Sequence, residues 1–392
     1  MKTLLDLCEL IVDCEHKTAP LADSGYPSIR TPNVGRGRLI LNGVNRVSEE
    51  TYLAWSRRAT PQADDLIIAR EAPLGNVAII PRGLKVCLGQ RTVLVRPDKQ
   101  KVDPSYLCYF LLGDYAQGRF RGASIGATVP HLNMKDIRGL LMPKLPSLEE
   151  QRRIASILSA YDDLIENNTR RIAILEEMAR GIFEEWFVRF RFPGHEQVKM
   201  VESELGLIPE GWTTCRLDDV LVLQRGFDLP RQARTEGSFP IISATGESGT
   251  HNEFRVRGPG VVTGRSGSLG TVMYVESDFW PLNTTLWVKE FKVGSPLYAF
   301  YVLQSIDLAG YNSGAAVPTL NRNDVHRFPV LKSTPNVLLH FDAIAGPMLK
   351  LKRRLEQKNA NLRATRDLLL PKLISGELYV STLPEPEEGI AA

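Results

Sequence analysis

The residues with the most chemical potential in this sequence are a glycine-rich loop, a few histidines and many arginines in loop sequence. Gly264-Arg-Ser-Gly-Ser-Leu-Gly270 has the composition of a phosphate cradle, because glycines let backbone N–H groups approach an anion. The sequence nevertheless holds no Gly-x-x-x-x-Gly-Lys loop and no His-Glu-x-x-His pair. The matching stretch of the first half, Ala69-Arg-Glu-Ala-Pro-Leu-Gly75, keeps only the last glycine, which favours a tight strand-to-strand loop. Asp103-Pro-Ser-Tyr106 lacks the second proline of an Asp-Pro-Pro-Tyr amino-binding loop, and no glycine-rich S-adenosylmethionine loop precedes it. It reads as a turn that opens a helix. His16, His131, His195, His251, His326 and His340 are scattered, and His131 is matched by Thr319 in the second half. Neither a metal cluster nor a Ser-His-Asp set assembles from them. The chain reads as non-catalytic, with no metal and no cofactor of its own.

What remains is arginine. Arg30, Arg36, Arg38 and Arg46, then Arg119 and Arg121, cluster in glycine-bearing sequence of the first half. Arg225, Arg231, Arg234, Arg255, Arg257 and Arg265 do so in the second. The candidate nucleic-acid contacts are Arg30, Arg36, Arg38, Arg70, Arg91, Arg119, Arg121 and His131, with Arg225, Arg231, Arg255, Arg265, Ser266, Thr319 and Arg322 in the other half. Any one arginine alone is as readily explained as solvated surface. As a group, on loops of two related halves, they fit phosphate and base-edge contacts to a nucleic acid. Total charge does not reveal this: 48 basic against 45 acidic side chains leave +3. The average hides unequal parts, with +6 over residues 1–146, −2 over 147–201, −2 over 202–332 and +1 over 333–392.

The elements that hold these residues come in two copies. Ile67–Val77 aligns with Val262–Val272, so that Arg70 matches Arg265, Leu74 matches Leu269 and Gly75 matches Gly270. Gln90-Arg-Thr92 faces Asn283-Thr-Thr285, and Tyr106-Leu-Cys-Tyr109 faces Tyr298-Ala-Phe-Tyr301. The tightest match is Ala127-Thr-Val-Pro-His-Leu-Asn133 with Ala315-Ala-Val-Pro-Thr-Leu-Asn321. The offset drifts from 195 to 188, as loops of changed length around a shared core would produce. Short β-branched runs predict strands at 66–69, 77–80, 92–95, 260–263, 271–275 and 284–288, with short helices at 106–112 and 297–303.

Each copy ends in a long helical pattern. Ser147 with Glu150 forms a capping box, and Ile154, Leu158, Tyr161, Ile165, Asn168, Ile172, Leu175, Ala179, Ile182 and Trp186 follow at heptad spacing. A helix over 148–186 would be about 58 Å long. The second copy runs through Ile344, Met348, Leu351, Leu355, Leu362 and Leu369, with Gly346-Pro347 expected to kink or restart it and Pro371 to end or bend it. Asn168 on the apolar seam is a candidate register-setting residue, or a solvated residue at the helix rim.

At 392 residues, 43 % hydrophobic and 24 % charged, the chain suits two or three globular domains. Cys8, Cys14, Cys87, Cys108 and Cys215 contain no Cys-x-x-Cys pair, which argues for a reducing compartment. Asp6, Glu9 and Asp13 interrupt the leucines of the N-terminus, and no apolar stretch has the length of a membrane span. A cytoplasmic protein without membrane contact is expected.

Taken in order, these stretches resemble the DNA-specificity subunits of type I restriction-modification systems. The resemblance is carried by the two Ala-Thr/Ala-Val-Pro-x-Leu-Asn motifs and by Pro146-Ser-Leu-Glu-Glu-Gln-Arg-Arg-Ile-Ala155. Phe183-Glu-Glu-Trp-Phe-Val-Arg-Phe190, Gly206-Leu-Ile-Pro-Glu-Gly-Trp212 and Leu369-Leu-Pro-Lys-Leu-Ile-Ser-Gly-Glu-Leu378 complete it. The second spacer departs from the pattern, having Leu338-Leu-His340 where the first has an acidic helix start. The resemblance implies an α+β chain with pseudo-twofold internal duplication: two similar mixed α/β target recognition domains separated by two long antiparallel coiled-coil spacer helices. The expected boundaries are 1–146 for the first recognition domain, 147–201 for the central spacer, 202–332 for the second domain, 333–382 for the C-terminal spacer and 383–392 for a disordered tail. It further implies that each domain reads one half of a split, asymmetric double-stranded DNA target while the helices set the gap. Ile154, Leu158, Ile165, Asn168, Ile172, Leu175, Leu351, Leu355 and Leu362 would form the spacer and partner seam. Two methyltransferase (modification) subunits and motor-nuclease (restriction) subunits would be partners, and S-adenosylmethionine, ATP and Mg²⁺ would belong to them. The competing readings are a duplicated scaffold that recruits partners through its coiled coil without reading DNA, and a self-sufficient methyltransferase-nuclease. The missing cofactor loops disfavour the latter.

Overall fold

The computed structural model describes residues 2–124, 130–311 and 319–380. Residues 127–129 and 315–318 of the paired motifs, and the expected tail over 383–392, lie outside the described residues. The chain divides into two compact units, one built from residues up to Asn168 and from Lys358 onward, the other from Thr169–Gln357.

The first unit is built on a four-stranded antiparallel sheet in the order Cys8–Asp13, Thr92–Pro97, Leu66–Ala69, Val77–Ile79. Beside it lies a three-stranded sheet of Arg46–Val47, Tyr26–Ile29 and Cys87–Leu88, in which the last two run parallel. Every residue of Leu66–Ala69 is buried, which explains why this strand reads as a continuous apolar run without alternation. Helix Pro104–Leu112 packs on the sheet through Tyr106, Leu107 and Phe110. Its start is the Asp103 turn: the carboxylate accepts from Tyr106 N at 3.0 Å. Lys2–Thr3 pairs antiparallel with Leu141–Met142 and closes the unit.

The second unit repeats this plan. Leu221–Arg225, Thr285–Phe291, Gly260–Gly264 and Val272–Val275 form the four-stranded sheet in the same order and the same antiparallel sense. Gly246–His251, Phe239–Ser243 and Trp280–Pro281 form the smaller sheet, again with one parallel pair. Thr213–Arg216 pairs with Pro329–Lys332 as the closing ribbon. Helix Pro296–Ser305 opens on Ser295, whose hydroxyl accepts from Tyr298 N at 3.2 Å. The glycine-rich segment 264–270 is the loop between two of these strands. A Cβ on Gly264 would stand 1.9 Å from the Ser268 carbonyl oxygen, and Gly270 has φ +86°, so both glycines serve the turn itself.

The two long helices are Leu148–Phe183 and Pro335–Ser375, of 36 and 41 residues. Ser147 and Glu150 exchange hydrogen bonds of 3.0 and 3.3 Å at the first start, as a capping box requires. The first helix ends in a π-helical turn, Glu184–Val188. The extra residue per turn lets neighbouring Trp186 and Phe187 both face inward, where they meet Phe341 at 6.3 and 5.2 Å between ring centres. The second helix neither restarts at Gly346-Pro347 nor ends at Pro371: it is one continuous element from Pro335 to Ser375. The carbonyls that the two prolines cannot bond belong to Ala343 and Asp367, both solvent-exposed residues, where a missing backbone hydrogen bond costs least. Its apolar start also explains the missing acidic cap, because Val337, Leu338, Phe341 and Ala345 are all buried in the second unit's core.

Ile154, Leu158, Asn168 and Leu355 are buried, and Ile165, Ile172, Leu175 and Leu362 are half-buried. Leu351 departs from the expected seam, being 37 % exposed. Its neighbour Lys352 takes the inward place instead, bonding Glu176 at 2.6 Å. Asn168 is buried, not solvated at a rim. Its Nδ2 donates to Asn359 Oδ1 at 2.9 Å, and Asn359 Nδ2 donates to the Ile165 carbonyl at 3.3 Å. Asn359 lies 191 positions after Asn168, within the period of the repeat. A buried amide that loses its donor costs about 1–3 kcal/mol, whereas replacing both partners by apolar groups is nearly neutral. Asn168→Ala is therefore expected to lower stability by that amount in urea unfolding, and Asn168→Leu with Asn359→Leu to recover most of it.

Candidate nucleic-acid interface

Three segments of the first unit meet at the end of its main sheet. Arg70 N donates to the Arg91 carbonyl at 2.9 Å, and Leu132 N donates to the Arg70 carbonyl at 2.9 Å. The second unit makes the same two bonds: Arg265 N to the Thr284 carbonyl and Leu320 N to the Arg265 carbonyl, both 2.8 Å. This backbone frame accounts for the strongest repeated letters in the sequence. The Leu-Asn at the end of each motif docks onto the arginine at the start of each loop, and Asn133 and Asn321 then begin short helices.

The frame is shared while the side chains on it are not. In the first unit it carries Arg70, Glu71, Arg91 and His131. Arg70 is buried; its Nε donates to the Leu132 carbonyl at 2.7 Å and its Nη2 lies 2.7 Å from His131 Nε2. An arginine cannot give up its proton, so Nε2 accepts and the imidazole N–H is on Nδ1, 3.6 Å from Glu71. Arg91, on a backbone with φ +64°, pairs with the other oxygen of Glu71. Arg70 thus holds His131 in one tautomer, and Glu71, which sequence reasoning did not select, ties Arg91 to it. In the second unit the frame carries Arg265, Ser266, Thr284 and Thr319. Ser266 and Thr319 face each other across an isolated β-bridge, and Arg265 Nη1 makes a long 3.4 Å bond to the Asn283 carbonyl. The Asn283 amide donates to Asp228, which also accepts from Arg225 at 3.3 Å. Arg225, Arg265, Ser266 and Thr319 are therefore neighbours in one network, connected through Asp228 and Asn283.

The remaining arginines divide by what they touch. Arg38 pairs with Asp163 and Glu166 of the long helix, and Arg36 donates to the Leu112 carbonyl at 3.3 Å, so both fasten their loop to the first unit. Arg255 lies on aromatic faces, 4.7 Å from the Trp280 ring centre and 6.0 Å from that of Phe227, and Arg119 stands 5.6 Å from Tyr115. Both arginines are solvent-exposed residues. Arg30, Arg121, Arg231 and Arg322 are solvent-exposed and outside both networks.

Among the described residues there is no group of three or more His, Cys, Asp or Glu side chains that could hold a metal ion. All five cysteines are free thiols; burial pushes Cys8 and Cys108 up to about 12 and Cys87 up to about 11, far from reactive thiolates. No helix among the described residues is long and apolar enough to cross a membrane.

Residues 1–177 match the family model described as "Type I restriction modification DNA specificity domain". The MjaIX specificity subunit of a type I restriction enzyme from Methanocaldococcus jannaschii is 27 % identical over 369 residues, 88 % of this chain and 84 % of that one. The HindI specificity subunit from Haemophilus influenzae is 29 % identical over 100 residues, 25 % of this chain and 22 % of that one. A solved S subunit of the type I restriction-modification system of M. genitalium superposes with a TM-score of 0.65 over 95 % of both chains at 17 % identity, a likeness of fold. Residues 1–177 thus carry a type I restriction modification DNA specificity domain, and the duplicated sheets and two long helices make the whole chain similar to the type I specificity subunits.

Proposed function

We infer that this chain reads a bipartite, asymmetric DNA target, one half-site per unit, for a type I restriction-modification system. The observation that carries the reading is the pair of identical backbone frames bearing different polar side chains, Arg91 and His131 in one and Arg265, Ser266 and Thr319 in the other. One scaffold with two chemistries is what two different half-sites require. The long helices would act as a ruler between the readers, because a helix fixes length at 1.5 Å per residue. The subunit itself would be non-catalytic and cytoplasmic. It would recruit two methyltransferase subunits and, in the full complex, motor-nuclease subunits, with S-adenosylmethionine, ATP and Mg²⁺ bound by those partners. The weak net charge of the second unit suits a complex whose partners supply part of the phosphate grip.

Arg265 is the sharpest single test, since its guanidinium spends one long hydrogen bond on the fold. Arg265→Ala in the methylase complex is expected to weaken binding about tenfold or more and to relax sequence choice in the second half-site alone. Affinity and sequence choice both unchanged, measured at fixed salt, would remove Arg265 from the interface.

A further inference from the structure

The two units differ most in how they treat the edge of the main sheet. In the first unit, residues 30–45 are inserted between strands Tyr26–Ile29 and Arg46–Val47, and they cover that edge. Gly37 N donates to the Val77 carbonyl at 2.8 Å and Ile79 N donates to the Gly37 carbonyl at 3.2 Å, a parallel bridge onto strand Val77–Ile79. Arg38 of the same segment pairs with Asp163 and Glu166. In the second unit, only Ala244 and Thr245 link the corresponding strands Phe239–Ser243 and Gly246–His251. The insertion is absent, and a groove of about 920 Å³ runs along the corresponding edge strand, Val272–Val275.

The ladder fixes which backbone groups face that groove. Gly264 N bonds the Thr271 carbonyl, so alternation turns the N–H and C=O of Val272 and Tyr274 outward, in register with Val77 and Ile79 of the first unit. The groove is lined by Glu176 and Glu356, which share the single ammonium of Lys352 at 2.6 and 3.5 Å, by Glu276 paired with Arg353, by Glu247 with no ion pair among the described residues, and by Arg180. Four carboxylates against Arg180, Lys352 and Arg353 leave the lining with one negative charge in excess beside an open strand edge.

We propose that this groove of the second unit binds an extended, basic peptide of a partner protein, which adds to the Val272–Val275 edge and sets an arginine or lysine against Glu176 and Glu356. The first unit supplies the template from its own chain: a glycine at the bridge, where close backbone approach is needed, and a basic side chain next to it. The proposal is independent of the DNA reading and is scored with no DNA present.

The probe is a fluorescein-labelled peptide of residues 30–45, titrated with the full chain and followed by anisotropy. Saturable binding is expected, with a Kd of about 10–100 μM. Tyr274→Pro removes the outward N–H and no ladder bond, as edge strands tolerate, and is expected to weaken binding at least about tenfold. Because this change also removes a ring that packs on Phe300, Glu176→Arg with Glu356→Arg serves as the second variant, with the same expected loss. A peptide carrying glutamate in place of Arg36 and Arg38 is expected not to bind. Absence of binding by the unaltered peptide at about 1 mM overturns the proposal, as does binding that all these changes leave intact. Self-association of the full chain that Tyr274→Pro abolishes would assign the groove to a second copy and overturn it equally.

Discussion

Removing Thr169–Leu175 from the first long helix and Lys352–Lys358 from the second is expected to abolish modification of the natural target and create a target whose gap is shorter by about three base pairs. Each deletion takes out one heptad, about 10 Å of helix at 1.5 Å per residue, against 3.4 Å per base pair of duplex. Both helices must be shortened together. Asn168 and Asn359 pair across the helices at 2.9 Å, and removing seven residues from one helix alone would slide the seam on one side of that pair against an unchanged partner. The matched deletions keep Asn168, Asn359 and the capping box at Ser147. They remove Ile172, Leu175 and Leu355 from the seam, so some stability is lost along with length. Modification mapping of the variant distinguishes the outcomes: the same half-sites at a shorter gap support a ruler, and the same half-sites at the original gap would sink it.

The second large effect is expected from exchanging residues 1–146 for the equivalent segment of another specificity subunit. The first half-site should be replaced entirely, with at least about a hundredfold loss on the original target, since each wrong base pair costs 1–3 kcal/mol and several change at once. The second half-site and the gap should be unaltered. The structure states what the incoming segment must respect. Tyr109 Oη donates to Asp162 at 2.7 Å, and Arg38 reaches Asp163 and Glu166, so the graft lands on acidic residues that stay behind on the helix. Asp162 also accepts from Arg366 of the second helix, and a donor segment without a tyrosine at the position of Tyr109 is expected to bind DNA less stably for that reason alone.

Much of this architecture is legible in the letters of the chain. The strands at 66–69 and 77–79 are continuous apolar runs, 260–264 is a β-branched run between glycines, and the helix starts at Asp103, Ser147 and Ser295 are local capping chemistry that needs no tertiary information. What stays hidden depends on partners distant in sequence. Arg38 and Arg70 look like surface arginines in glycine-flanked loops, but their partners lie 125 and 62 positions away. Nothing near them announces that they fasten the fold. Asn359 does carry a signal in the sequence, since it repeats Asn168 one period later. Pro347 misleads because a helix-breaking rule takes no account of which carbonyls the solvent can satisfy. The networks through Glu71, Asp228 and Asn283 have no motif at all; they exist because the shared frame brings three loops together.

The central claim is that one chain reads two unlike half-sites held at a fixed separation. Its most direct test is genome-wide mapping of adenine methylation in cells that carry this chain with its modification subunit and no other such system. The account predicts a single asymmetric motif in two parts, separated by a gap of constant length in which any base is accepted. A continuous motif, a gap of variable length, or no sequence preference in the methylation would contradict it.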